Sequence, residues 1–258
     1  MRRSLVLSLP LVLLACDKPE ASPTPERTSK TAAPTADAKT AAPTAETQPA
    51  TTGAPAADGP FAEFAKFINE ASDAIEKAAR GEKVEGFNIE PGDAAGAAKL
   101  KDAKRVFASV EVEAMSDTGY VRTNVVVFPD GTVRWVELAH KPEKALVKAT
   151  PDIDKASPVL ATTSKQLIET LAGDNCSKLP ILTPAETEKL PQEVQAQTKP
   201  TQPQLDALCT AMKGKADGWT PRYDDFTIGV KAGEALVAIK SGFEVKDGKL
   251  HLLKPRVR

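Results

Sequence analysis

The sequence predicts an α+β protein, antiparallel sheet meanders with helices packed against them, set behind a disordered amino-terminal tether. Three observations carry this expectation. Apolar residues recur at three and four positions over 61–78, then at every second position over 106–138, and the same order of helical and then strand periods returns over 163–253. No regular strand–helix alternation of the kind that builds a parallel doubly wound sheet intervenes. Ahead of both, residues 17–59 contain no Val, Ile, Leu, Phe, Tyr, Trp, Met or Cys, so they cannot bury enough apolar surface to offset the entropy of ordering.

The chain opens with Arg2 and Arg3, an apolar run from Leu5 to Leu14 and the small Ala15, which are the parts of a secretory signal. The run contains Pro10 and is half the length of about 20 residues that a membrane-crossing helix needs. Leu13-Leu14-Ala15-Cys16 resembles the lipobox of bacterial lipoproteins. That resemblance covers residues 1–16 and implies that 1–15 is removed as a signal peptide. It also implies that the Cys16 thiol is diacylated and the new amino terminus usually acylated too, and two or more acyl chains suffice for stable anchoring. A plain secretory signal cut elsewhere would leave Cys16 as an odd thiol in an oxidising compartment. In enterobacterial lipoproteins an aspartate after the cysteine, here Asp17, favours the inner membrane, but the rule does not extend to all bacteria, so inner and outer membrane both stay open. The expected address is the bacterial cell envelope, with the body in the periplasm or outside. The body itself resembles no family by its residues.

Residues 16–59 are the lipidated cysteine and tether. Lys30-Thr-Ala-Ala-Pro-Thr-Ala-Asp37 recurs as Lys39-Thr-Ala-Ala-Pro-Thr-Ala-Glu46, a low-complexity repeat without a hydrophobic face. As a flexible coil the segment would span roughly 40 Å, and at most about 130 Å as extended polyproline II.

The body is expected over 60–258, with 60–150 and 151–258 as candidate helix-plus-meander halves. Asp58 or Gly59 can cap a first helix with Pro60 in its first turn; Phe61, Phe64, Phe67, Ile68, Ala71, Ile75 and Ala78 form its stripe, and Gly81 ends it. After a Gly/Ala-rich loop with room for one short helix, Val106 to Ala114, Tyr120 to Phe128 and Thr132 to Leu138 read as a meander turned at Ser116–Gly119 and Pro129-Asp130-Gly131. Val125 to Phe128 is apolar on both faces, so something besides the first helix must cover that strand. Residues 139–161 read as a crossover with a helical turn near Glu143 to Lys148. Thr163 and Gln166 suggest a capping box for a helix carrying Leu167, Ile168 and Leu171. A short helix started by Thr183-Pro184-Ala185-Glu186 and stopped by Pro191, and one carrying Leu205, Leu208, Cys209 and Met212 and closed by Gly214, follow. Strands resume at Phe226 to Val230, Leu236 to Ile239, Phe243 to Val245 and Leu250 to Leu253. The hairpins 128–136 and 245–253 look alike, which is what suggests the halves.

Once Cys16 is acylated, Cys176 and Cys209 are the only cysteines, an even number in a disulfide-permissive compartment, and are expected to be bonded. A redox pair would sit closer in sequence, and a metal site would need ligands that His140 and His251 do not supply. No metal or other cofactor is expected.

The formal net charge is −1; without Arg2 and Arg3 it is −3, and six acidic against four basic residues in 17–59 leave −1 for the body. A phosphate-neutralising footprint needs a clear excess of Lys and Arg, so nucleic acid is excluded as a partner. The cluster Lys246, Lys249, His251, Lys254, Arg256 and Arg258 reads as a solvated edge strand and tail.

No phosphate loop, nucleophile elbow or zinc-protease motif is present in the sequence, and Asp152-Ile153-Asp154 lacks the rest of a calcium loop. Glu111, Glu113 and Glu137 could supply paired carboxylates for hydrolysis of cell-wall or surface polysaccharide. Against that, Trp219-Thr-Pro-Arg222-Tyr223-Asp-Asp225 is an aromatic-rich charged stretch expected to be a loop, and such residues are enriched at recognition hot spots. The sequence therefore favours a non-catalytic, membrane-anchored binding or scaffolding module. Its partner would be an unknown envelope protein or glycan, met through Trp219, Arg222 and Tyr223.

Overall fold

The computed structural model describes residues 59–258 apart from 118, 142–151, 189, 191 and 196–201. The signal segment, Cys16, the tether, the turn expected near Glu143 to Lys148 and the stop at Pro191 lie outside the described residues. Among the described residues no helix is long and apolar enough to cross a membrane.

Valine-rich alternation makes β1 (Lys104–Ser116) the spine of the sheet. It pairs antiparallel with β2 (Gly119–Val127) on one side and with β4 (Thr220–Ala232) on the other. Adding β3 (Val133–Lys141), β5 (Ala235–Ser241) and β8 (Arg256–Val257) gives one six-stranded antiparallel sheet of order β3-β2-β1-β4-β5-β8. The two stretches expected as halves therefore share a single sheet, joined where β1 meets β4. The hairpin of β6 (Phe243–Lys246) and β7 (Lys249–Leu252) forms a separate two-stranded sheet. It differs from the 128–136 hairpin in its turn. Asp247 and Gly248 make a two-residue turn with both φ positive, whereas β2 and β3 are joined by a longer loop in which only Gly131 is positive.

One face of the sheet is covered by helices. α1 (Ala62–Ala79) follows Phe61 at its N-cap, so Pro60 precedes the helix instead of sitting in its first turn. Its end is a Schellman turn: Gly81 at φ 79° lets its N–H reach Ala78 O at 2.9 Å, and Glu82 N–H reaches Lys77 O at 2.9 Å. Phe64, Ile68, Ala71 and Ile75 are buried and meet Val110, Val112, Val125, Trp135, Phe226 and Ile228 of the sheet in one core. α2 (Ala94–Lys99), capped by Asp93, supplies the short helix expected in the Gly/Ala-rich loop.

Residues 139–161 are not one crossover, since β3 runs on to Lys141, and a turn of helix, α3 (Ile153–Ala156), precedes α4 (Pro158–Ala172). Ser157 caps α4 and Pro158 opens it, so the expected capping box at Thr163 is wrong. Thr163 lies inside the helix, its hydroxyl bonded to Val159 O at 2.8 Å. Pro158 sits in the first turn, where its missing N–H is harmless. The expected short helix at Thr183–Glu186 is α5 (Pro184–Thr187), opened by a capping box between Thr183 and Glu186; α6 (Gln192–Gln195) and α7 (Gln202–Met212) follow.

The segment of α5 and α6 lies on the other face of the sheet. Leu182 and Leu190 pack on Phe107, Val126 and Val136, with Val194 beside them. This is the second cover that the two-sided apolarity of Val125 to Phe128 demands. Cys176, in the 3₁₀ turn Cys176–Lys178, is bonded to Cys209 of α7 with 5.6 Å between their Cα atoms, tying the exit of α4 to α7.

Candidate functional site

Strand alternation decides where the singled-out residues go. β4 begins at Thr220, so the expected loop from Trp219 to Asp225 is strand from its second residue on. Its Pro and Asp content reads as a turn, but β5 pairs only with residues from Phe226 onward, and Pro221 and the Asp225 bulge, at φ 34°, sit where β4 has β1 alone as its partner. Within the strand Arg222 and Tyr223 point to opposite faces. The three residues are therefore not one contact surface.

Tyr223 turns inward and is 2% exposed, which removes it as a contact residue. Its hydroxyl donates to Leu160 O at 2.7 Å, leaving the Ser164 hydroxyl, also 2.7 Å away, to donate to it. Burial pushes its pKa well above the ordinary phenol value, so it is a locked, neutral cross-brace from β4 to α4.

Arg222 turns outward into a polar ladder on the other face of the sheet. Glu111 stands opposite Asn124 and Asp224, and Glu113 opposite Arg122 and Arg222. Both glutamates are nearly buried. Arg122 binds Glu111, the Tyr120 hydroxyl donates to Glu113, and Arg222 binds Asp224 while its Nη1 lies 3.5 Å from Glu113 Oε2. Burial raises the Glu111 pKa, the Arg122 bond pulls it back, and the neighbouring Glu113 raises it again, with a net upward shift. Burial and the bond to Glu113 drive the Tyr120 phenol upward. Glu137, at φ 54° where β3 bulges, is bonded by Asn124. The structure thus brings Glu111 and Glu113 together and engages all three glutamates with neighbours.

Tyr120, Arg122 and Asp224 were not singled out in the sequence. The signal for the first two was present: a tight turn at Ser116–Gly119 fixes the register, and counting back from it places Tyr120, Arg122 and Asn124 across from Met115, Glu113 and Glu111.

Trp219 stands apart from both. Its indole N–H donates to Lys215 O at 2.8 Å, and Gly218 at φ 78° makes the bend that presents it. The half-buried ring lines a pocket of about 500 Å³ together with Thr162, Lys165, Ile168 and Glu169 of α4, Asp154 and Asp217. That volume is in the range of small-ligand sites, about 300–1,000 Å³. Lys165 is drawn to Glu169 at 3.8 Å, which leaves the lining acidic. Among the described residues no group of three or more His, Cys, Asp or Glu could hold a metal ion.

Compared with protein-family models, curated proteins and solved structures, the chain matches none.

Proposed function

We propose that this chain is a non-catalytic binding module of the bacterial envelope, held to a membrane by acyl groups on Cys16 and meeting an envelope protein or glycan at the Trp219 pocket. The observation that carries the reading is the pocket itself. A large ring is fixed by its own N–H, half in solvent, beside the polar side chains of α4 and Asp217, and this is the composition of a recognition hot spot. The alternative is a polysaccharide hydrolase using Glu111, Glu113 and Glu137. What weighs against it is the engagement of each carboxylate by Arg122, Tyr120, Arg222 or Asn124, because an acid/base pair needs a carboxyl free to pass a proton to substrate.

Two measurements test the proposal. Intact-mass analysis of the membrane fraction should show a mature chain beginning at Cys16 with acyl mass on it, and a chain without acyl mass sinks the anchor. Wild type and Trp219→Ala are then compared for co-sedimentation with isolated envelope polysaccharide and for crosslinking to envelope proteins. The variant should lose capture in one assay by about tenfold or more while unfolding at the same urea concentration. Equal capture by both chains overturns the pocket as the contact surface.

A further inference from the structure

Lys240 of β5 stands directly opposite Arg256 of β8 in the antiparallel register. Side chains so placed have Cβ atoms about 4.5–5.5 Å apart, and like charges there destabilise the sheet. Arg258 joins them on the same face, since its N–H donates to Ala238 O at 2.8 Å and two residues along each strand restore the facing. Through Thr227, opposite Lys240, and Ser109, opposite Thr227, this is the face that carries the polar ladder.

The three cations line a cleft of about 770 Å³ that the β6–β7 hairpin closes from the other side with Lys246 and His251, and Lys254 follows from the connection to β8. None of these five lysines and arginines has an ion-pair partner among the described residues. Of the acids in the cleft, Asp224 is held by Arg222, leaving Glu90, Asp225 and Glu244. A solvated edge, the reading that composition suggests, would not require cations from three elements to converge on one concavity, nor an unrelieved like-charge pair across its floor.

We infer that this cleft is an oxyanion site for a phosphate-bearing ligand. A phosphate offers several acceptor oxygens and close to two negative charges, enough to bridge Lys240 and Arg256 at once, and the planar guanidinium forks of Arg256 and Arg258 match its geometry. The site is separate from the Trp219 pocket and stands whether or not that pocket takes a partner. The same phosphate chemistry could arrive on a lipid headgroup or on a soluble or polymer-borne group.

The test uses the full chain carrying Cys16→Ser, so that acylation does not contribute, with and without Lys240→Gln/Arg256→Gln. Thermal unfolding is followed in sodium pyrophosphate and in sodium chloride of equal ionic strength. Pyrophosphate should raise the melting temperature of the parent beyond the chloride effect. The double variant should melt higher than the parent without ligand and bind pyrophosphate about tenfold or more weakly. In a second arm, vesicles of phosphatidylglycerol are compared with vesicles of phosphatidylcholine. Variant-sensitive binding to the anionic vesicles assigns the headgroup as source, and a pyrophosphate response without it assigns a soluble or polymer-borne phosphate. Equal shifts in pyrophosphate and chloride with no variant-sensitive vesicle binding overturn the site.

Discussion

The guanidinium of Arg134, on the outer face of β3, clasps the carboxylate of Glu186 in α5: Nε lies 2.8 and 2.9 Å from its two oxygens and Nη2 lies 2.6 Å from Oε1. Glu186 is also the closing residue of the α5 capping box. Partial burial pushes its pKa up, but the bonds from Arg134 and from the Thr183 backbone and hydroxyl outweigh it and hold the carboxyl below the ordinary glutamate range. One side chain thereby shapes the helix and fastens it to the sheet.

Arg134→Met removes the clasp and keeps the capping box. It should destabilise the body by roughly 1–2 kcal/mol at neutral pH. Because the folded pKa of Glu186 is depressed, the stabilisation is present above its unfolded value and is lost as pH falls through the folded one. Urea unfolding of variant and wild type should therefore converge in acid. Curves that already coincide at neutral pH would show that the clasp contributes nothing.

Gly229 in β4 lies under the ring of Phe107. A Cβ built on it would stand 2.3 Å from Cε1 of that ring, and Phe107 is itself held beneath Leu182 and Leu190. Gly229→Ala should destabilise by roughly 1–3 kcal/mol, as overpacked sites do. In combination with Phe107→Leu the added penalty should shrink, since the atoms in conflict are gone. Additive effects in the double-mutant cycle would refute the proposed clash.

The staple between Cys176 and Cys209 closes a loop with a sequence separation of 33. On the chain-entropy model the bond stabilises the body by about 3–4 kcal/mol. Replacing both cysteines with alanine should lower the urea midpoint accordingly, with the same fold at low denaturant by circular dichroism. A midpoint unchanged by reduction would argue that the bond leaves stability untouched.

Tyr223 and Trp219 should separate cleanly. Tyr223→Phe strips the hydroxyl that braces Leu160 O and Ser164, leaving buried groups unpaired at roughly 1–3 kcal/mol with partner capture intact once the protein is folded. Trp219→Ala should do the reverse. Loss of capture in a folded Tyr223→Phe chain would return Tyr223 to the contact surface.

What the sequence made legible was periodicity. The stripe of Phe64, Ile68 and Ile75, the alternation of Val110, Val112 and Ala114, and the hairpin over 245–253 all read correctly because each depends on neighbours a few residues away. The errors fall where a distant partner decides. The stretch from Trp219 to Asp225 reads as a loop, yet from Thr220 on it is strand, held by β1 where β4 has a partner on one side only. Trp219, Arg222 and Tyr223 read as one surface because they are close in sequence, whereas a strand sends neighbouring side chains to opposite faces. The pocket beside Trp219 needed α4, and no local pattern shows that Thr162 and Glu169 come to lie beside residues 217–219.

The half of β4 that has β1 alone as its partner bears on crowding. If the anchoring proposed for Cys16 holds, chains on one membrane would meet one another at high areal density, where unpaired strand flanks invite zipping from molecule to molecule. Pro221 offers no N–H to such a neighbour, and the kink at Asp225 throws the flank out of straight register. The irregularity that hides this strand from a reader of the sequence thus leaves a missing donor and a broken register where a second chain would have to pair.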